Sequence, residues 1–128
     1  MEIVIELDGK LVPFKSTGGV PKRYMAQFGR DLLKDMLGMG INIIDLENST
    51  EQEQLEWMRE NIDFNIFYDI AWTFAKTANP SIPEPLTWLD TFETFPIYEM
   101  MNQIQDLLNE TFTPKKKLQA VAMETQRK

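Results

Sequence analysis

The chain has 128 residues, 43% of them hydrophobic, a net charge of −7, and neither cysteine nor histidine. That length suits one domain that buries roughly 65% of its unfolded surface without staples. The missing residue types exclude disulfides and thiolate metal sites and remove the commonest general base and transition-metal ligand, so no enzyme, cofactor or metal centre is expected.

Ile3, Ile5 and Leu7 alternate with Glu2, Val4 and Glu6; Asp8-Gly9 follows, and then Lys10 to Phe14. Asp-Gly between two alternating runs is a strong hairpin signal, and it predicts strands at about 2–7 and 11–15. Pro13 makes the second strand an edge, and an isolated hairpin must lay its apolar face on helices. Gly18-Gly19 lacks the surrounding pattern of a phosphate cradle and reads as a turn.

Pro21 opens a helix expected over 21–37, with Tyr24, Met25, Phe28, Leu32 and Met36 as its stripe and Gly38 and Gly40 as its stop. Lys22, Arg23 and Arg30 read as its solvated face. Ile41–Asn48 fits either a short strand or an apolar plug. The acids Asp45, Glu47, Glu51 and Glu53 lack calcium-loop spacing, and Thr50-x-x-Glu53 is instead a capping box for a helix over 51–61. Leu55, Met58 and Ile62 are its expected buried residues, with Trp57 on a flank.

Ile62, Ile66, Ile70 and Phe74 recur every four residues and predict a strongly apolar helix over 63–78, stopped by Asn79-Pro80. A shorter helix is expected over 84–92, carrying Leu86, Trp88, Leu89 and Phe92. The last, over 96–110, has the cleanest amphipathic spacing: Ile97, Met100, Met101, Ile104, Leu107 and Leu108. The fold class is thus mainly α with a small N-terminal β-hairpin, an α+β domain of four to five helices over 1–112.

Residues 113–128 change character. They hold five basic residues against one acid, a net +4, which leaves −11 for residues 1–112. An acidic body argues against nucleic-acid binding, and three consecutive lysines are too short a run to reverse that. The tail is expected to be frayed or extended, with Leu118, Val121, Ala122 and Met123 able to form a weak helical turn on a partner. No apolar run is long enough to span a membrane and no signal peptide is evident, so a cytosolic setting is expected.

Asp90 with Glu93 beside Trp88, Phe92 and Phe95, and Asp69 beside Tyr68 and Trp72, are the candidate carboxylates for acid or base work. Both have plainer accounts as solvent-facing residues, and neither has a nucleophilic or basic companion. The eight methionines and fourteen aromatics are more informative. Methionine suits surfaces that accept varied apolar partners. The wide arc of Ile97, Met100, Met101, Ile104 and Leu108 is the expected partner-binding face, with Tyr24, Met25 and Phe28 second.

The run Tyr68 to Pro83, then Trp88-Leu89-Asp90-Thr91-Phe92 and Phe95-Pro96-Ile97-Tyr98, resembles the tail assembly chaperones of long-tailed bacteriophages and prophages of Gram-positive bacteria. Ile70, Trp72, Phe74, Pro80, Ile82, Pro83, Trp88, Phe92 and Phe95 are its core signature. The resemblance spans most of 1–112, but its specific part is about 68–98. It implies a non-enzymatic factor of the host cytoplasm that coats the apolar, helical tape-measure protein, helps recruit tail-tube subunits, self-associates, and is absent from the finished virion. It also implies a −1 frameshifted longer product, for which the codons of Lys115–Lys117 are the candidate slippery run. The alternative is a structural adaptor of the particle, such as a head–tail connector.

Overall fold

The computed structural model describes residues 1–38, 50–61 and 63–112. Within them, strands β1 (Glu2–Leu7) and β2 (Lys10–Lys15) precede six helices: α1 (Val20–Phe28), α2 (Leu32–Gly38), α3 (Glu51–Asn61), α4 (Phe64–Ala78), α5 (Pro85–Leu89) and α6 (Ile97–Phe112). The expected class, mainly α with an N-terminal hairpin, is the one observed. Ile41–Asn48, Gly40, Ile62 and the tail 113–128 lie outside the described residues, as do the side chains of Trp57 and Met58.

The hairpin closes as its sequence dictates. Asp8 (φ 55°) and Gly9 (φ 75°) are both left-handed, the type I′ geometry whose twist matches the strands. Ile3 then faces Phe14 and Ile5 faces Val12, which turns that face toward the core. Pro13 lies opposite Val4. Hydrogen-bonded and open pairs alternate along an antiparallel ladder, and Ser16 N–H donates to the Met1 carbonyl at 2.8 Å. By that alternation Val4 and Pro13 form an open pair, and the missing proline N–H costs no ladder bond. The tip is pinned far along the chain: Lys10 Nζ donates to the Thr91 carbonyl at 2.8 Å and Glu93 N–H donates to Asp8 Oδ2 at 3.1 Å.

Helix α4 is the axis of the molecule and touches β2, α1, α5 and α6. Asp63 caps its start by accepting from Asn65 N–H. Phe67 and every residue from Ile70 to Ala75 are buried, so the helix is enclosed on nearly all sides, as its apolar circumference requires. Its one fully buried polar side chain, Thr73, donates to the Asp69 carbonyl at 2.8 Å. Beyond Ala78 the chain turns a corner held by α4 itself. Trp72 Nε1 donates to the Pro83 carbonyl at 2.9 Å, Lys76 Nζ to the Ile82 carbonyl at 2.7 Å, and Ser81 N–H to Asn79 Oδ1 at 3.1 Å. Trp88, Phe92, Phe95 and Phe14 then pack edge to face with ring centres 5.2–6.5 Å apart.

Several expectations are corrected. The single helix over 21–37 is two helices. Gly29 adopts φ 69° and its N–H caps the Met25 carbonyl, while the Asp31 carboxylate accepts from Lys34 N–H at 3.0 Å and starts α2. The helix expected over 84–92 stops at Leu89, and Leu86 on it is 67% exposed. Leu55 is not buried but 39% exposed. Of the core signature, Pro80 and Pro83 are exposed: they shape the corner instead of filling the interior, while Ile82 and Phe95 pack half-buried against the core. The capping box is present as read, with Thr50 N–H donating to Glu53 Oε1 at 2.9 Å and Glu53 N–H to Thr50 Oγ1 at 3.1 Å.

Candidate functional site

The stripe of α6 expected to bind a partner is core. Met100, Met101, Ile104 and Leu108 are between 0% and 3% exposed and Ile97 is 8% exposed. The width of that arc has an internal cause: α6 closes one cluster shared by the hairpin, α1, α2, α4 and α5. Met100 and Met101, adjacent and pointing about 100° apart, are both covered. Tyr24 is likewise buried, Phe28 is half-buried against the Trp72 ring at 5.7 Å, and of the second candidate face only Met25 is exposed.

Tyr24 instead joins a polar cluster that the sequence did not reveal. Its hydroxyl donates to Asp35 Oδ2 at 2.7 Å and accepts from Arg30 Nη2 at 2.9 Å. Arg30 also donates through Nε to Asp35 Oδ2 at 2.9 Å and through Nη2 to Asp69 Oδ2 at 2.6 Å. Its guanidinium lies 5.4 Å from the Tyr24 ring centre and 5.6 Å from that of Phe28. Arg30 was expected on a solvated face; the break at Gly29 swings it across to α4. Asp69, expected to face solvent, is its partner there. Burial pushes the Tyr24 phenol up, with help from the bond to Asp35. Bonds to Asp69 and Asp35 hold Arg30 firmly cationic. Burial also raises the Asp69 carboxyl, against the pull of Arg30. These bonds make the cluster a clasp tying α1, α2 and α4 together. Asp90 and Glu93 are both exposed, in keeping with their plain reading.

Among the described residues, a groove where α3, α4 and α6 meet is open to a partner. Leu55, Arg59, Phe64 and Tyr98 line a space of about 310 Å³. This is about twice the ~150 Å³ of a cavity that holds benzene. Leu55 and Tyr98 are 39% and 40% exposed, and Phe64 forms the half-buried floor. The sequence does not reveal it because its residues come from three helices, Leu55 and Arg59 from α3, Phe64 from α4 and Tyr98 from α6. A second cavity of about 240 Å³ lies between β2 and the corner, with Val12, Ile82, Trp88 and Phe92 in its wall. Among the described residues no group of acidic side chains could hold a metal ion, and no helix is long and apolar enough to cross a membrane.

No protein-family model matches the chain, and neither the curated proteins nor the solved structures yield a match.

Proposed function

We propose that this chain is a non-enzymatic tail assembly chaperone that binds apolar helices of a tape-measure protein and keeps them in solution while tail-tube subunits assemble. The observation that carries the reading is the α3–α4–α6 groove: an open apolar cleft of Leu55, Phe64 and Tyr98 on a body of net charge −11. An amphipathic helix docks into such a cleft through side chains at i, i+3, i+4 and i+7. Met25, Leu33 and Leu37, exposed on α1 and α2, offer further apolar points of attachment. The resemblance of residues 68–98 supports the same reading, and those residues form the scaffold: α4, its corner, and the aromatic cluster that seats α6. The client therefore meets the surface around the signature and not the signature itself. In this reading the protein acts in the host cytoplasm, in many copies per tape-measure chain, and leaves before the virion is finished.

The test is co-expression with a candidate tape-measure protein. A soluble complex with many copies of this chain per client is the expected result. An aggregated client beside free 15 kDa protein would overturn the reading. Stoichiometric recovery in finished particles would favour a connector-like structural role instead.

A further inference from the structure

The alternation that spares Pro13 a ladder bond also decides where β1 points its backbone. Val4 with Pro13 is an open pair, and so are Glu2 with Lys15 and Glu6 with Leu11, two residues away on either side. In an open pair the N–H and C=O groups of both residues point away from the paired strand. Glu2, Val4 and Glu6 therefore aim their backbone groups off the free side of β1, and among the described residues no hydrogen bond reaches them. The free side of β2 is blunted, because Pro13 stands at its centre with no N–H to give. That leaves β1 as the edge on which another strand can form.

The side chains along this edge select the strand. Glu2, Val4 and Glu6 share the exposed face, with Val4 59% exposed, while Ile3 and Ile5 on the other face pack half-buried against the core. Among the described residues neither glutamate is in an ion pair. A strand laid alongside sets its own residues directly opposite these, alternating between the same two faces. Cations at its two ends meet the carboxylates, and an apolar residue between them meets Val4. Apolar residues at the alternate positions continue the face of Ile3 and Ile5. A second copy of β1 is a poor occupant. Antiparallel pairing about Val4 sets Glu2 of each copy against Glu6 of the other, and like charges directly opposite destabilise a sheet.

We propose that β1 is a docking edge for an extended segment of a partner protein, in which two basic residues flank three apolar ones. The segment adds a third strand to the hairpin. Its backbone bonds supply the binding strength, and Glu2 and Glu6 supply the selection. The same two charges keep copies of this chain from pairing edge to edge. The edge shares no residue with the groove of Leu55, Arg59, Phe64 and Tyr98, so this docking stands whether or not the groove holds a client.

The probe is a synthetic peptide centred on Lys-Val-Val-Val-Lys, set against its Glu-Val-Val-Val-Glu counterpart, each added to the full-length chain. Amide hydrogen exchange followed by NMR reads the edge. At a concentration ten times its Kd, the lysine peptide should slow exchange at Val4 and Glu6 about tenfold. Ile5, whose N–H already faces β2, should hardly change. Val4→Pro removes one outward donor and no bond to β2, and should weaken the peptide at least about fivefold. Glu2→Lys combined with Glu6→Lys should weaken it about tenfold and turn the preference to the glutamate peptide. That charge-reversed variant keeps every backbone group of the edge, so it carries the test if Val4→Pro fails to fold, and unchanged exchange in α4 is the check on folding. Unslowed exchange at Val4 and Glu6, equal binding of the two peptides, or a preference indifferent to charge reversal would each overturn the proposal. So would protection at Val4 that rises with the concentration of this chain alone, since the edge would then be occupied by a second copy.

Discussion

Arg30 shows how much one side chain can carry without advertising it. In the sequence it is one of three basic residues on an amphipathic stretch, and nothing local marks it. In the fold it makes three polar contacts, to Tyr24, to Asp35 and to Asp69, over two aromatic faces. Its side chain is 40% exposed, so solvent screening tempers the energy. Arg30→Ala is expected to cost about 1–2 kcal/mol, measured by urea unfolding. Lysine, with a single point charge, should recover only part of this. Asp69 carries a pH signature of its own. Its folded pKa is raised above the ordinary 3.8, chiefly by burial. Its titration therefore contributes stability that is fully present below about 3.8 and is lost as pH rises through the folded value. Arg30 stays charged throughout and does not blur this window. The stability of the native protein relative to Asp69→Asn should fall between pH 3.5 and 7, with most of the change from about 3.8 upward. A difference that instead grows with pH would mean that attraction to Arg30 outweighs burial.

At the scale of elements, legibility follows range. The hairpin, the capping box at Thr50 and the Asn79-Pro80 stop were all readable, because each is fixed by residues within about four positions of one another. The break between α1 and α2 was equally local yet was passed over. Met25 to Met36 keeps a helical apolar rhythm across it, and periodicity alone does not register a left-handed glycine followed by an Asp cap. The glycine is there for its backbone: φ is 69° and nothing lies within 4 Å of a Cβ built on it. Gly29→Ala should therefore cost about 1 kcal/mol from backbone strain alone. It should also loosen the Arg30 clasp, which a thermal melt of the double variant with Arg30→Ala would show as non-additivity. The corner after α4 makes a comparable prediction. Trp72→Phe keeps an aromatic side chain in the core but replaces the indole with a smaller ring and removes the 2.9 Å bond to the Pro83 carbonyl. A loss of about 1–3 kcal/mol is expected, with faster amide exchange at Ser81 and Ile82.

For the molecule as a whole, the sequence marks which residues are apolar but not which apolar residues the fold has already used. Met101 and Tyr98 lie three residues apart on α6, and amphipathic spacing selected Met101 as the partner contact. Burial reverses the choice: Met101 is 3% exposed and Tyr98 is 40% exposed. The distinction depends on α4, which packs against α6, while Tyr98 lines the groove toward α3, and no pattern within α6 encodes that. Glutamate at the two positions should separate the roles. Met101→Glu places a carboxylate in the shared core and should cost several kcal/mol, a large part of the total stability of a domain this size. Tyr98→Glu should change stability by less than about 0.5 kcal/mol, because the side chain already meets water. It should nevertheless weaken capture of an apolar helix at the groove, and paired urea titrations and co-purification with the client would read both effects. If Met101→Glu folds normally while Tyr98→Glu collapses, α6 is packed the other way round. If Tyr98→Glu folds and captures the client undiminished, binding lies elsewhere, with the exposed Met25, Leu33 and Leu37 of α1 and α2 the next surface to alter.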